Sequence, residues 1–170
     1  MKKLSVLFSL VAILTIASFT AKAQVSATAT SSATIITPIA ISKSIDLNFG
    51  NVAVSPSLAG TVQLSPASTR TAGGGVTLPV VTGTVSAAKF TVTGAAGSTF
   101  SISLPGAPIT LTSGSNTMTV GTFTSNPTPT GTLTAGTQDV FVGATLNVAA
   151  GQAAGVYTNA TGLVVTVNYN

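Results

Sequence analysis

Val140-Phe141-Val142-Gly143-Ala144-Thr145-Leu146-Asn147-Val148 is the stretch on which the fold turns. Val140, Val142, Ala144, Leu146 and Val148 fall on one side of an extended chain. A period of two marks a strand with one face on a core, whereas a helix would scatter the same five side chains around its circumference. The pattern repeats to either side. Ile45, Leu47 and Phe49 alternate with Asp46 and Asn48, and Val62 and Leu64 mark a short strand over 61–64. Phe90 and Val92 lead into Gly94-Ala95-Ala96-Gly97, and Phe100, Ile102 and Leu104 follow, which predicts a hairpin. Ile109 and Leu111 are joined through Ser113-Gly114-Ser115-Asn116 to Met118 and Val120, a second hairpin. The tract 149–155 turns the chain once more before Leu163, Val165, Val167 and Tyr169.

Composition agrees. Thr occurs about thirty times and, with Val, Ile and Phe, suits pleated, half-buried surfaces. Exposed helix formers such as Lys, Glu and Arg are nearly missing. Short strands with turn residues between them predict an all-β sandwich or barrel, and of the two we expect an immunoglobulin-like antiparallel β-sandwich. Two segments read as loops: 68–75, with its Gly73-Gly74-Gly75 triplet, and Asn126-Pro127-Thr128-Pro129-Thr130-Gly131, where proline lacks the ladder donor. The glycine triplet is no phosphate cradle, because no Lys follows it and no helix opens after it.

The first residues form a leader. Lys2 and Lys3 precede an apolar run from Leu4 to Phe19, and Ala21-Lys22-Ala23 is a small-x-small cleavage site. This predicts a signal peptide over 1–23, export through the inner membrane, periplasmic transit and a destination at the cell surface. The run falls short of the roughly 20 apolar residues a membrane span needs, and no later stretch reaches that length, so no integral membrane insertion is expected. Removing the leader leaves 170 − 23 = 147 residues, the size of one domain.

Charge and chemistry are scarce. Beyond the leader, Lys43, Arg70 and Lys89 face Asp46 and Asp139, a net of 3 − 2 = +1. Three scattered cations make no basic patch, so nucleic acid is not expected as a partner. The chain has no His, Cys, Glu or Trp. No metal centre, cofactor or catalytic constellation is expected, since imidazole, thiolate and paired carboxylates are the usual means. Ser42-Lys43-Ser44 sets hydroxyls beside an amine only in sequence, because neighbours on a strand point to opposite faces. An outer-membrane barrel of this size would need aromatic girdles, and five Phe and two Tyr beyond the leader are too few. A monomeric secreted sandwich acting as an adhesin, carbohydrate-binding or matrix module is the alternative reading. Tyr157 is its one candidate stacking residue, and Asn159-Ala160-Thr161 has the form of a glycosylation acceptor.

The two ends carry the functional signal. Val25, Ala27, Ala29, Ser31, Ala33 and Ile35 lie on one face over eleven residues, with hydroxylated residues between them, until Pro38 interrupts. We read 24–37 as an N-terminal extension whose Val25, Ala27, Ala29, Ala33 and Ile35 form a donor strand, and 38–170 as the sandwich. At the other end Leu163, Val165, Val167 and the penultimate Tyr169 alternate, with Gly155 upstream.

That ending resembles the C-terminal motif of pilins assembled by the chaperone–usher route, although Gly155 stands about two residues from the glycine's usual place. The resemblance implies an incomplete sandwich. Its groove beside 163–169 would be filled first by a periplasmic chaperone and then, at an usher, by the next subunit's N-terminal strand. Thr34-Ile35-Ile36-Thr37-Pro38-Ile39, Leu47-Asn48-Phe49-Gly50 and Gly155-Val156-Tyr157-Thr158 extend the likeness over nearly all of 24–170. On these segments the chain resembles a bacterial secreted family of unknown function. That family is similar in turn to spore coat protein U-like proteins and to the major subunits of Mat/Ecp-type fimbriae. The resemblance implies a pilin-like structural subunit of a fimbria-like or other surface filament, self-associating by strand donation.

Overall fold

A computed structural model describes residues 24–159 and 161–170 of this chain. The expected signal peptide, 1–23, lies outside the described residues. The chain divides into two units, one ending at Ile35 and one spanning Ile36–Asn170. Every strand lies in the second: β1 (Ala40–Ile45), β2 (Ala53–Val54), β3 (Gly60–Leu64), β4 (Arg70–Gly74), β5 (Val76–Thr77), β6 (Ala88–Thr93), β7 (Thr99–Ser103), β8 (Ile109–Ser113), β9 (Asn116–Asn126), β10 (Thr130–Thr132), β11 (Thr137–Val148) and β12 (Thr166–Tyr169), with a 3-10 turn at Thr134–Gly136.

The protein is all-β and antiparallel, and β11 organises it. One edge of β11 pairs with β6 over Thr137–Val142 and then with β3 over Ala144–Val148. Its other edge pairs with β9 over Phe141–Asn147. With β1 outside β6, β4 outside β3 and β8 outside β9, this makes a curled seven-stranded sheet. A three-stranded sheet, β10-β7-β12, lies across the apolar core from part of it, and β2 and β5 form a small ribbon.

The alternation of β11 feeds two cores. Val140 and Val142 join Phe90, Val92, Phe100, Leu133, Val165 and Val167 in the first. Ala144, Leu146 and Val148 join Phe49, Val62, Leu64, Val76 and Val120 in the second. Leu47 packs against both. Successive inward residues of a single strand thus serve two hydrophobic clusters.

The β8–β9 hairpin forms as expected. Four expectations need correction. Phe90–Thr93 and Phe100–Leu104 are not a hairpin: β6 pairs with β1 and β11, while β7 pairs with β10 and β12. The Gly94–Gly97 tract carries the chain from one sheet to the other, tied by Gly94 N–H to Gly136 O (3.0 Å) and Gly97 N–H to Leu133 O (2.8 Å). The segment 68–75 is no mobile loop, because Arg70–Gly74 pairs along all of β3. Here the glycines serve close approach: a methyl on Gly60 would overlap Gly73 O, so two chains meet where side chains cannot fit. Ile45 does not share the face of Leu47 and Phe49. A bulge between Lys43 and Ile45 shifts the register, leaving Ile45 43% exposed while Phe49 is buried. Finally, 24–35 carries no strand of its own and is exposed along its length.

Candidate assembly interface

The closing strand has one free edge. Among the described residues, β12 pairs only with β7 and β1 only with β6. In an antiparallel ladder a residue turns both main-chain groups toward one neighbour or both away. Ile102 N–H donates to Pro129 O on the β10 side (2.9 Å), so its neighbours Ser101 and Ser103 serve Asn168 and Thr166. Asn170 N–H donating to Thr99 O (3.2 Å) keeps the same phase. Val167 and Tyr169 therefore direct their amides and carbonyls away from the sheet. On β6, Gly94 N–H bonds the β11 side, so Thr91 and Thr93 serve Ser42 and Ala40 of β1. Ile41 is left facing outward in the same sense.

Both edges border one apolar cluster. Val165 and Val167 are buried in it, and Leu163, Tyr169, Ile39, Ile41 and Leu47 pack against it half-buried. Of the four residues read as the acceptor strand, Val167 and Tyr169 lie in β12, while Leu163 and Val165 precede it. The inward alternation still holds from 163 to 169, because Val164, Thr166 and Asn168 are exposed. The edge is undefended: no Lys or Pro interrupts 163–169.

Tyr169 closes one end of this seam. Its hydroxyl accepts from Ala95 N–H (2.7 Å) and donates to Thr37 O (2.7 Å). The ring reaches there because Gly94 has no Cβ, which would overlap the hydroxyl. Sequence reasoning placed Tyr169 on the strand but missed this latch. Its only trace was a glycine tract with no evident partner. The five residues read as a donor strand, Val25, Ala27, Ala29, Ala33 and Ile35, lie in the first unit and are all exposed, Val25 at 90% and Ile35 at 97%.

Several other polar residues are committed locally. Tyr157 is half-buried; its hydroxyl accepts from Gln152 Nε2 (2.7 Å) and donates to Ala153 O (2.8 Å). Asn159 gives its amide to Thr110 O (2.6 Å) and receives Thr161 Oγ1 (2.8 Å), a turn-forming role. Ser42 and Ser44 bond carbonyls of β6, while Lys43 pairs with Asp46. Arg70 spans Phe49 O (2.7 Å) and Asn51 O (2.8 Å). Among the described residues, no group of three or more acidic, His or Cys side chains could hold a metal ion, and no helix is long and apolar enough to cross a membrane.

Comparison with known proteins gives one result. The family described as Domain of unknown function (DUF4402) matches residues 39–169. That span runs from just before β1 to the end of β12 and leaves 24–37 outside it. No curated protein and no solved structure matches the chain.

Proposed function

The chain belongs to the family described as Domain of unknown function (DUF4402), and we propose that it is an exported structural subunit that assembles into a surface filament by strand donation. The carrying observation is the pair of free edges, β1 and β12, beside one half-covered apolar cluster. A strand added along the β12 edge would satisfy the outward main-chain groups of Val167 and Tyr169 and cover Leu163. On this reading the domain is an immunoglobulin-like sandwich lacking one strand.

The occupant is the segment Val25–Ile35 of a second copy. Its inward positions are Ala or Ser except at the ends, side chains small enough for a close approach to a strand whose Val165 and Val167 are already buried. The stretch Leu163–Tyr169 extends over roughly 23 Å at about 3.3 Å per residue, so the eleven-residue segment is long enough to fill it. Donation of one copy's N-terminal segment to the β12 edge of another copy is a heterologous contact, which propagates into filaments. A chaperone and usher follow as partners, because an unfinished sandwich needs a temporary strand. The likeness to spore coat protein U-like proteins and Mat/Ecp-type fimbriae belongs to this proposal.

The test compares the chain with and without residues 24–35, and with Ala29→Pro, by size exclusion and negative-stain microscopy. Expected are filaments or ladders from the intact chain, none from the deletion, and short oligomers from Ala29→Pro. A stable monomer from the intact chain, or filaments that survive the deletion, overturns the proposal.

A further inference from the structure

A second feature lies on the far side of the small sheet. β9 accompanies β11 only as far as Asn126, which stands opposite Phe141. Pro127 ends the ladder and the chain departs toward β10, so Thr137–Val140 has no neighbour on that edge. The result is a cleft of about 640 Å³ lined by Asn126, Pro127, Thr132, Gln138, Asp139 and Phe141, among others.

Its chemistry is unusual for this chain. Asp139 is one of only two carboxylates in the protein. Lys89 Nζ lies 2.9 Å from its Oδ2, and Thr91 Oγ1 donates to its Oδ1 (2.8 Å). Lys89 Nζ also lies 5.7 Å from the centroid of the Phe141 ring. Asp139 keeps 39% of its side-chain surface exposed, and each of its oxygens has an acceptor site left. An oriented carboxylate, an exposed amide, a hydroxyl and an aromatic ring therefore border one hollow.

We propose that this cleft binds a neutral carbohydrate. The carboxylate would accept from ring hydroxyls, Asn126 and Thr132 would donate and accept, and Phe141 would meet the C–H face of a pyranose. Charge decides the class. Lys89 balances Asp139, so the site attracts neither anions nor cations, and one carboxylate does not make a metal site. The other large hollow, about 570 Å³ beside Thr61, Met118, Asn147 and Gln152, has neither ring nor charge. Its Gln152 amide is already spent on Tyr157 and Thr117 O. The proposed site stands apart from strand donation: β10 and β12 lie on opposite sides of β7, so a filled seam leaves the cleft open.

The experiment screens the intact protein, in whatever assembly it forms, against immobilised neutral oligosaccharides ending in glucose, galactose, mannose or N-acetylglucosamine. Hits are then titrated by calorimetry. Asp139→Asn and Asn126→Ala are each expected to weaken binding tenfold or more. Asn126→Ala, at an exposed position, should leave the melting temperature unchanged, which separates lost binding from lost folding. Removing 24–35 should abolish filaments and leave glycan affinity intact. The proposal fails if the folded protein retains no neutral glycan, or if the affinity of every hit is indifferent to both substitutions.

Discussion

Asp139 also serves as a reporter at the scale of a single residue. The hydrogen bond from Lys89, then that from Thr91, hold its carboxyl below the ordinary value of 3.8, against a smaller opposing effect of burial. A carboxyl depressed on folding adds stability above its unfolded value, and loses it as pH falls through the lower, folded value. The window therefore lies below pH 3.8, and solvent access to the pair keeps the contribution within about 1 kcal/mol. Urea unfolding of Asp139→Asn should show a small deficit against wild type at neutral pH and none near pH 2. An equal deficit at both would mean that the ion pair adds nothing and that the side chain matters only for packing.

At the scale of elements, β11 links the two cores, since Val142 belongs to one and Leu146 to the other on the same strand. A strand paired on both edges from Phe141 to Asn147 cannot leave one core and stay in the other without breaking its ladder. Val142→Ala and Leu146→Ala should each lower stability, Leu146→Ala by about 2–5 kcal/mol and Val142→Ala by less. Both should shift one common unfolding transition, and two separable transitions in either variant would refute the coupling. The role of β11 was legible because its alternation is unbroken. Val62, Leu64, Phe90 and Val92 were equally plain, since inward residues at period two admit no other reading. What stayed hidden depends on pairing across distance. Nothing local says that the chain after Thr93 crosses to another sheet, or that three glycines lie against Gly60 rather than in solvent. Ile45 misled because a bulge between Lys43 and Ile45 turns it off the face that Leu47 and Phe49 keep. The candidate seam was half legible: the alternation around Val165 and Val167 was visible, whereas β1 as the opposite wall and Thr37 as the partner of Tyr169 were not.

For the whole molecule, the scarcity of charge determines how assembly should respond to solvent. Among residues 24–170, Lys43 pairs with Asp46, Lys89 pairs with Asp139, and Arg70 is bound to two carbonyls. A net of 3 − 2 = +1 so distributed gives no long-range field to steer one subunit toward another. If copies join by backbone pairing and apolar burial at the β1–β12 seam, the forces between them are short-ranged and ionic screening has little to act on. Light scattering after dilution from denaturant should therefore show growth rates within about twofold between roughly 0.02 M and 0.5 M sodium chloride. Sulfate at equal ionic strength should accelerate growth, because excluded salts favour burial of apolar surface. A steep fall in rate with sodium chloride would mean that charged surfaces bring the subunits together. The charges of the described residues form two ion pairs and one committed arginine, so that result would count against the seam as the site of joining.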